Sequence, residues 1–371
     1  MSAPEVKGWC PGAYRPMQSG DGLIVRIRPR MAQLTRAQAL GLAQLATEFG
    51  SGVIDLTSRA NLQIRGASAQ HHETLLHALN ALHLLDTDPV TEARRNVLVQ
   101  PFWEDGDLTC RVAEALLGAL HRFPEMPPKV GFAVDLGPER YLADDPADFR
   151  FERSKDGHIM LRADGAARGW TVPEDRAVEA ALTLAQWFVA RQTETLRRMA
   201  KVTATTPLSA AWCVTRPTAD AAKVTPGGGV LGVPFGQIDA AALAEVIVQS
   251  QAQTLRVTPW RMLMLGASVP VDHPAFVSAP DDGLLSIDAC PGAPLCAAAS
   301  VETRGLARQL AAGGVRGVHV SGCAKGCARA RLAPLTLVGR DGRFDLVENG
   351  AAWDAPIRTG LTPQDILGGA F

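Results

Sequence analysis

The chain contains no run of about 18 apolar residues, no apolar leader with a cleavage signature and almost no net charge. The first absence excludes a transmembrane helix. The second excludes a secretory leader, so a cytoplasmic protein with reduced thiols is expected. With 37 Lys+Arg against 38 Asp+Glu, nothing draws the whole molecule to nucleic acid or a membrane, and any anion site must arise from local clustering. No Ser-His-Asp arrangement or nucleophile elbow stands out. Gly227-Gly228-Gly229 is not followed by Lys-Ser/Thr and therefore reads as a linker rather than a phosphate loop. His71, His72, His77 and His83 lack the i, i+4 spacing of a helical metal site, which leaves a solvated face.

Cysteine is also sparse, seven in 371 residues, and four of the seven are grouped. Cys290 and Cys296 form C-x5-C (CPGAPLC), and Cys323 and Cys327 form C-x3-C (CAKGC), with 26 residues between the pairs. Glycine- and proline-bent loops can bring two such pairs to one centre. Thiolates select iron–sulfur clusters, zinc or copper(I) over hard cations. The x5 spacing is wider than structural zinc sites use, so a cluster leads, with zinc, and no metal at all, as the alternatives. The odd total argues against a pure disulfide framework. His319, just before the CAKGC loop, reads as a core or supporting histidine.

Along the chain one pattern occurs twice. Residues 20–68 read as strand, helix, strand, with Thr35 and Gln38 in a capping-box arrangement and Gly50 at the helix end. The helix HETLLHALNALHLL closes the unit. Residues 229–268 repeat the order with Asp239 as N-cap and the same GAS tail, the mark of an internal duplication. Between the copies come two apolar strands, a glycine-turn hairpin and one long helix spanning residues 173–199. After the second copy come loop, helix, strand, loop, and a hairpin turned on Asp341-Gly342. The expected architecture is α+β, with repeat and α/β parts alternating as 1–85, 86–215, 216–278 and 279–371.

The strand ending the first copy alternates. Ala60, Leu62 and Ile64 point one way, and Arg59, Asn61, Gln63 and Arg65 the other. Arg26 and Arg28 repeat this opposite Val25 and Ile27. Such a face is either a solvated sheet surface or an anion site. The lack of interspersed acids favours the anion site, and the second copy (LRVTPWRMLML) has lost the face. Arg95, Asn96 and Lys129 add polar groups nearby.

These residues together resemble the sulfite/nitrite reductase superfamily over nearly the whole chain. The resemblance implies two ferredoxin-like half-repeats interleaved with α/β domains, and a [4Fe-4S] cluster held by Cys290, Cys296, Cys323 and Cys327. It places Arg28, Arg59, Gln63, Arg95 and Lys129 at positions that contact tetrapyrrole carboxylates or the small anion, with Arg26, Asn61, Arg65 and Asn96 as further substrate-binding candidates. Two departures stand out: a second lysine of the reductases is Gly131 here, and their asparagine between the last two cysteines is Lys325. Together with the Cys10–Arg26 stretch, they make the chain similar to a branch that oxygenates a corrin precursor instead of reducing sulfite or nitrite. That similarity implies precorrin-3A and O2 as substrates, C20 hydroxylation with γ-lactone formation, and an external electron donor, either an NAD(P)H-linked reductase or a ferredoxin. It makes Lys129, Lys325 and Arg95 the catalytic candidates, with a mononuclear non-haem iron as a second candidate cofactor. A sirohaem-dependent reductase and a non-catalytic zinc protein are the competing expectations.

Overall fold

The computed structural model describes residues 10–217, 222–266 and 269–369. The N-terminal residues 1–9, read for a leader, and Ala267-Ser268 of the repeated tail lie outside the described residues. The first copy consists of β1 (Met17–Ser19), β2 (Gly22–Ile27), β3 (Gln33–Thr35), α1 (Arg36–Phe49), β4 (Val53–Leu56), β5 (Leu62–Ala67) and α2 (His72–Ala81). The Thr35 hydroxyl accepts from Gln38 N–H, and the Gln38 side chain accepts from Thr35 N–H, completing the capping box that starts α1. His71, His77 and His83 are exposed, as expected of a solvated face.

The segment that follows comprises α3 (Pro89–Arg94), β6 (Val97–Val99), α4 (Leu108–Ala119), β7 (Phe132–Asp135), β8 (Phe149–Arg153), β9 (Ile159–Ala163), β10 (Trp170–Thr171), α5 (Ala177–Val189) and α6 (Met199–Thr205). The single long helix expected over 173–199 is therefore two helices. The apolar face of α5 ends at Phe188, and Asp148 then accepts from both Met199 N–H and Arg198 Nε at 2.9 Å, fixing the start of α6. The second copy is β11 (Val230–Gly232), β12 (Gln237–Asp239), α7 (Ala240–Gln249), β13 (Thr254–Val257) and β14 (Met262–Gly266). The C-terminal part is β15 (Asp288–Ala289), α8 (Arg304–Ala312), β16 (Val318–Ser321), β17 (Ala333–Arg340), β18 (Arg343–Gly350), β19 (Arg358–Leu361) and α9 (Pro363–Leu367).

Four sheets result, and the two copies exchange a strand. The first sheet runs β1-β2-β5-β4-β12 and the second β11-β14-β13-β3. Ile238 of the second copy pairs with Ile54 of the first, and Leu255 with Leu34. Helices α1 and α7 pack together, and both copies share one core containing Leu34, Leu42, Ile54, Leu243 and Val246. Neither copy is complete without the other, which holds the first copy's polar face in fixed register.

The third sheet, β10-β9-β8-β7-β6, is covered by α4 and α5, and its core includes Phe132, Phe149 and Phe188. The fourth, β15-β16-β17-β18-β19, packs Val318, Val320 and Leu337 against α8. The β17–β18 hairpin turns on Asp341 and Gly342, both with positive φ. Among the described residues no helix is long and apolar enough to cross a membrane.

Candidate functional site

The CPGAPLC loop leaves β15, and the CAKGC loop leaves the neighbouring parallel strand β16, so sheet pairing sets the two cysteine pairs side by side. All seven cysteines are free thiols. Cys290 is buried, and Gly322 N–H donates to its sulfur at 3.1 Å. Burial raises the Cys290 pKa, opposed by N–H groups at Gly322 and Gly292 and reinforced by the charges of Cys296 and Cys323. Cys327 is exposed by area, yet enough protein surrounds its sulfur that desolvation leads in raising its pKa. The nearby Lys325 opposes that rise, and the other three cysteines add to it. Cys290 and Cys327 thus each lie within charge range of the other three sulfurs.

Among the described residues, no three histidine, cysteine or carboxylate side chains close on a single ion. A cubane places four irons and four sulfides between its cysteines and holds the sulfurs farther apart than one ion does. Four gathered thiols with an N–H aimed at the most buried one form a donor set that fits such a cluster. Gly322 is required by this packing, because a Cβ there would lie 2.6 Å from Ala299 Cβ.

The arginine-rich face is more neutralised than alternation suggested, because acids distant in sequence reach it. Arg28 pairs with Glu92 at 2.7 Å, with both side chains over nine-tenths buried. Glu92 also accepts from Ala13 N–H at 2.6 Å, tying down the segment after Cys10. Arg65 donates to Asp21 at 2.7 and 2.8 Å, to Asp55 at 3.1 Å and to the Leu295 carbonyl at 3.3 Å, so it faces the cysteine loop. Arg95 pairs with Asp86 at 2.8 Å. Arg59, Ala60 and Asn61 lie in the turn before β5 rather than in the strand, and Ala60 takes a left-handed φ of 51°.

On this face two guanidiniums, those of Arg26 and Arg59, have no carboxylate partner among the described residues. Arg26 donates to Gln63 Oε1 at 3.0 Å, and Arg59 to the Lys129 carbonyl at 2.7 Å. Burial, with Arg28 and Arg59 adding, lowers the Arg26 pKa to about 10, against the influence of Cys10. Burial and Arg198 lower that of Arg59. Arg26 stays cationic at neutral pH. The Cys10 thiol thus stands within reach of Arg26, Arg28 and Arg59, a placement that its sequence position alone did not give.

Two small adjoining clefts open on this face. Arg28, Asn61 and Arg95 line one, and Arg59, Asn61, Arg95 and Asn96 line the other. Their size suits a carboxylate arm rather than a whole macrocycle. Lys129 is exposed at the rim, and Lys325 is exposed beside Cys327. Gly131 packs so closely that a Cβ would lie 2.8 Å from the Asn96 carbonyl oxygen, so the position has no room for a lysine without movement. Arg304 had no sequence signal: it begins an ordinary amphipathic helix, and only the tertiary fold puts it beside Cys290.

Residues 15–82 match the model of the nitrite/sulfite reductase ferredoxin-like half domain. A Sinorhizobium protein named precorrin-3B synthase is 30% identical, with the alignment covering 98% of this chain and 87% of that protein. The structure of Mycobacterium tuberculosis NirA protein superposes with a TM-score of 0.65 at 17% identity, over 93% of this chain and 79% of that one. At that identity the NirA likeness speaks for the fold alone.

Proposed function

Because the chain belongs to the precorrin-3B synthase family, built on the nitrite/sulfite reductase fold, we propose that it oxygenates a corrin precursor. The substrate in this reading is precorrin-3A. The product carries a hydroxyl at C20 and a γ-lactone closed by a ring-A acetate, with O2 as oxidant and an external donor supplying two electrons. The observation that carries the reading is the convergence of Cys290, Cys296, Cys323 and Cys327 in a chain similar, over 98% of its length, to a protein of that name. A [4Fe-4S] cluster held by those cysteines would relay electrons one at a time.

The chain's own residues would handle the polycarboxylate. Arg26 and Arg59 are the cations left for acetate and propionate arms, each arginine–carboxylate contact being worth about 1.5–3 kcal/mol. Asn61, Gln63 and Asn96 would supply neutral donors beside them. Arg28 and Arg95, already paired with Glu92 and Asp86, would act as fixed dipolar walls, with Lys129 and Lys325 as exposed cations at the rim. Arg65, turned toward Leu295, would support the cluster loop instead of the substrate. The crowded Gly131 weakens the case for a sirohaem-dependent reductase, which would need a second lysine there.

The test is incubation of anaerobically purified protein with precorrin-3A, reductant and 18O2. Mass analysis should show one labelled oxygen retained in a hydroxylactone product. Unchanged precorrin-3A, with reduction of sulfite or nitrite by the same preparation, would overturn the proposal.

A further inference from the structure

We propose that Arg304 is a positioning residue that acts through Cys290, holding a fixed positive charge against the cluster and raising its reduction potential. The inference rests on the cluster reading above.

Arg304 opens α8 and is 9% exposed, yet among the described residues its Nε and Nη1 have no hydrogen-bond partner. Its one ionic contact is long, Nη2 to Asp55 Oδ1 at 3.5 Å. Asp55 is shared: Arg65 Nη1 takes its other oxygen at 3.1 Å. Arg65 is in turn doubly bonded to Asp21. Two arginines therefore face two carboxylates, but the contacts are uneven. Arg65 is closely matched, and Arg304 keeps much of its charge uncompensated in a buried place, an arrangement rarely stable without an anion nearby.

The anion this arrangement fits is the cysteine-bound centre. Thr303, fully buried and immediately before Arg304, donates its hydroxyl to the Cys290 carbonyl at 2.5 Å. A Cβ on Gly292 would lie 2.9 Å from Thr303 N, so the start of α8 is clamped onto the loop that carries Cys290. Burial lowers the Arg304 pKa, with Arg65 adding, while the charges of Asp55 and then Cys290 oppose that shift. On the other side of the same loop, Arg65 and Ser19 both donate to the Leu295 carbonyl, beside Cys296. The loop is therefore held by Thr303 on one side and by Arg65 and Ser19 on the other, with the poorly matched Arg304 next to Thr303.

Reduction adds one electron to the cluster and moves no atom, so a fixed neighbouring cation favours the reduced form. Removing it lowers the potential, and removing the carboxylate that partly offsets it raises the potential. The experiment is a redox titration, by optical and EPR signals, of wild type, Arg304→Gln, Arg304→Lys and Asp55→Asn, each first assayed for iron and sulfide. Arg304→Gln is expected to shift the oxidised-to-reduced ratio at fixed potential at least tenfold toward oxidised, or about 59 mV for one electron. Arg304→Lys should recover most of that shift, and Asp55→Asn should move the ratio in the opposite direction. A purely structural role would not give shifts of opposite sign at full cluster content. Wild-type potentials in Arg304→Gln and Asp55→Asn, with iron and sulfide intact, would overturn the inference while leaving the cluster reading in place. If Arg304→Gln loses its cluster, Asp55→Asn decides alone: a raised potential supports the inference and an unchanged one overturns it. A wild-type protein without iron or sulfide removes both.

Discussion

The two half-repeats share a backbone but differ in what they present. Met31 and Phe235 take the same left-handed conformation before the exchanged strands, and Ala60 and Arg261 take it before β5 and β14. When these landmarks are aligned, Arg26, Arg28, Asn61, Gln63 and Arg65 of the first copy fall on Val230, Gly232, Met262, Met264 and Gly266 of the second. At Gly232 the second face meets the segment that leads to β15. A side chain at Gly232 would meet Leu285 and Val277, and Arg261 donates to the Leu285 and Ile287 carbonyls just before β15. Arg261 of the second copy and Arg65 of the first both hold the cysteine-bearing part, and only the first copy keeps a cationic face, its charges mostly matched by distant acids.

The largest effect expected from a single change concerns the cysteine loops, which both copies hold. Cys323→Ser should lose the cluster's broad absorption and turnover together, and full turnover in that variant would show the thiol assignment wrong. Next comes the buried charge that only the first copy carries. Glu92→Gln leaves Arg28 unmatched and should cost about 3–5 kcal/mol in urea unfolding, a liability the second copy avoids by placing Gly232 there.

The sheet between the copies offers a third contrast in buried charge. Burial raises the Asp135 pKa from 3.8 to about 7, although Tyr141 N–H and Leu142 N–H donate to it. A carboxyl with a raised folded-state pKa contributes stability below its unfolded value that is lost as pH climbs toward 7. Asp135→Asn should therefore remove a decline on the order of a few kcal/mol between pH 4 and pH 7, measured by denaturation at several pH values. A variant with the wild-type pH profile would show that Asp135 ionises normally.

Arg59→Ala should weaken tetrapyrrole binding by about 1.5–3 kcal/mol with the cluster spectrum unchanged. Met264→Ala in the second copy should leave affinity untouched, and equal losses in the two variants would erase the proposed division of labour. The smallest expected effects come from what the copies still share. Thr35→Ala and Asp239→Ala each remove an N-cap acceptor, from Gln38 N–H and Ala242 N–H respectively, and each should cost about 1 kcal/mol of stability.

Features governed by neighbouring residues were legible in the sequence. The capping box, the Asp341-Gly342 hairpin, the duplicated element order and the cysteine pairs all rest on short spacings, and the structure contains each of them. Features that depend on distant partners were not. The alternation of residues 59–65 showed a charged face but could not show that Asp21, Asp55 and Glu92 would come to meet it. It also read the turn at Ala60 as strand, because a left-handed alanine leaves no mark in residue type. The exchange of β3 and β12 was hidden for a related reason: both strands are only three residues long, and their pairing depends on the α1–α7 packing.

The most direct test of the whole account is an iron and acid-labile sulfide count on the anaerobically purified chain. About four of each per chain, falling together in Cys290→Ser, is the predicted result. About one zinc with no sulfide would contradict it.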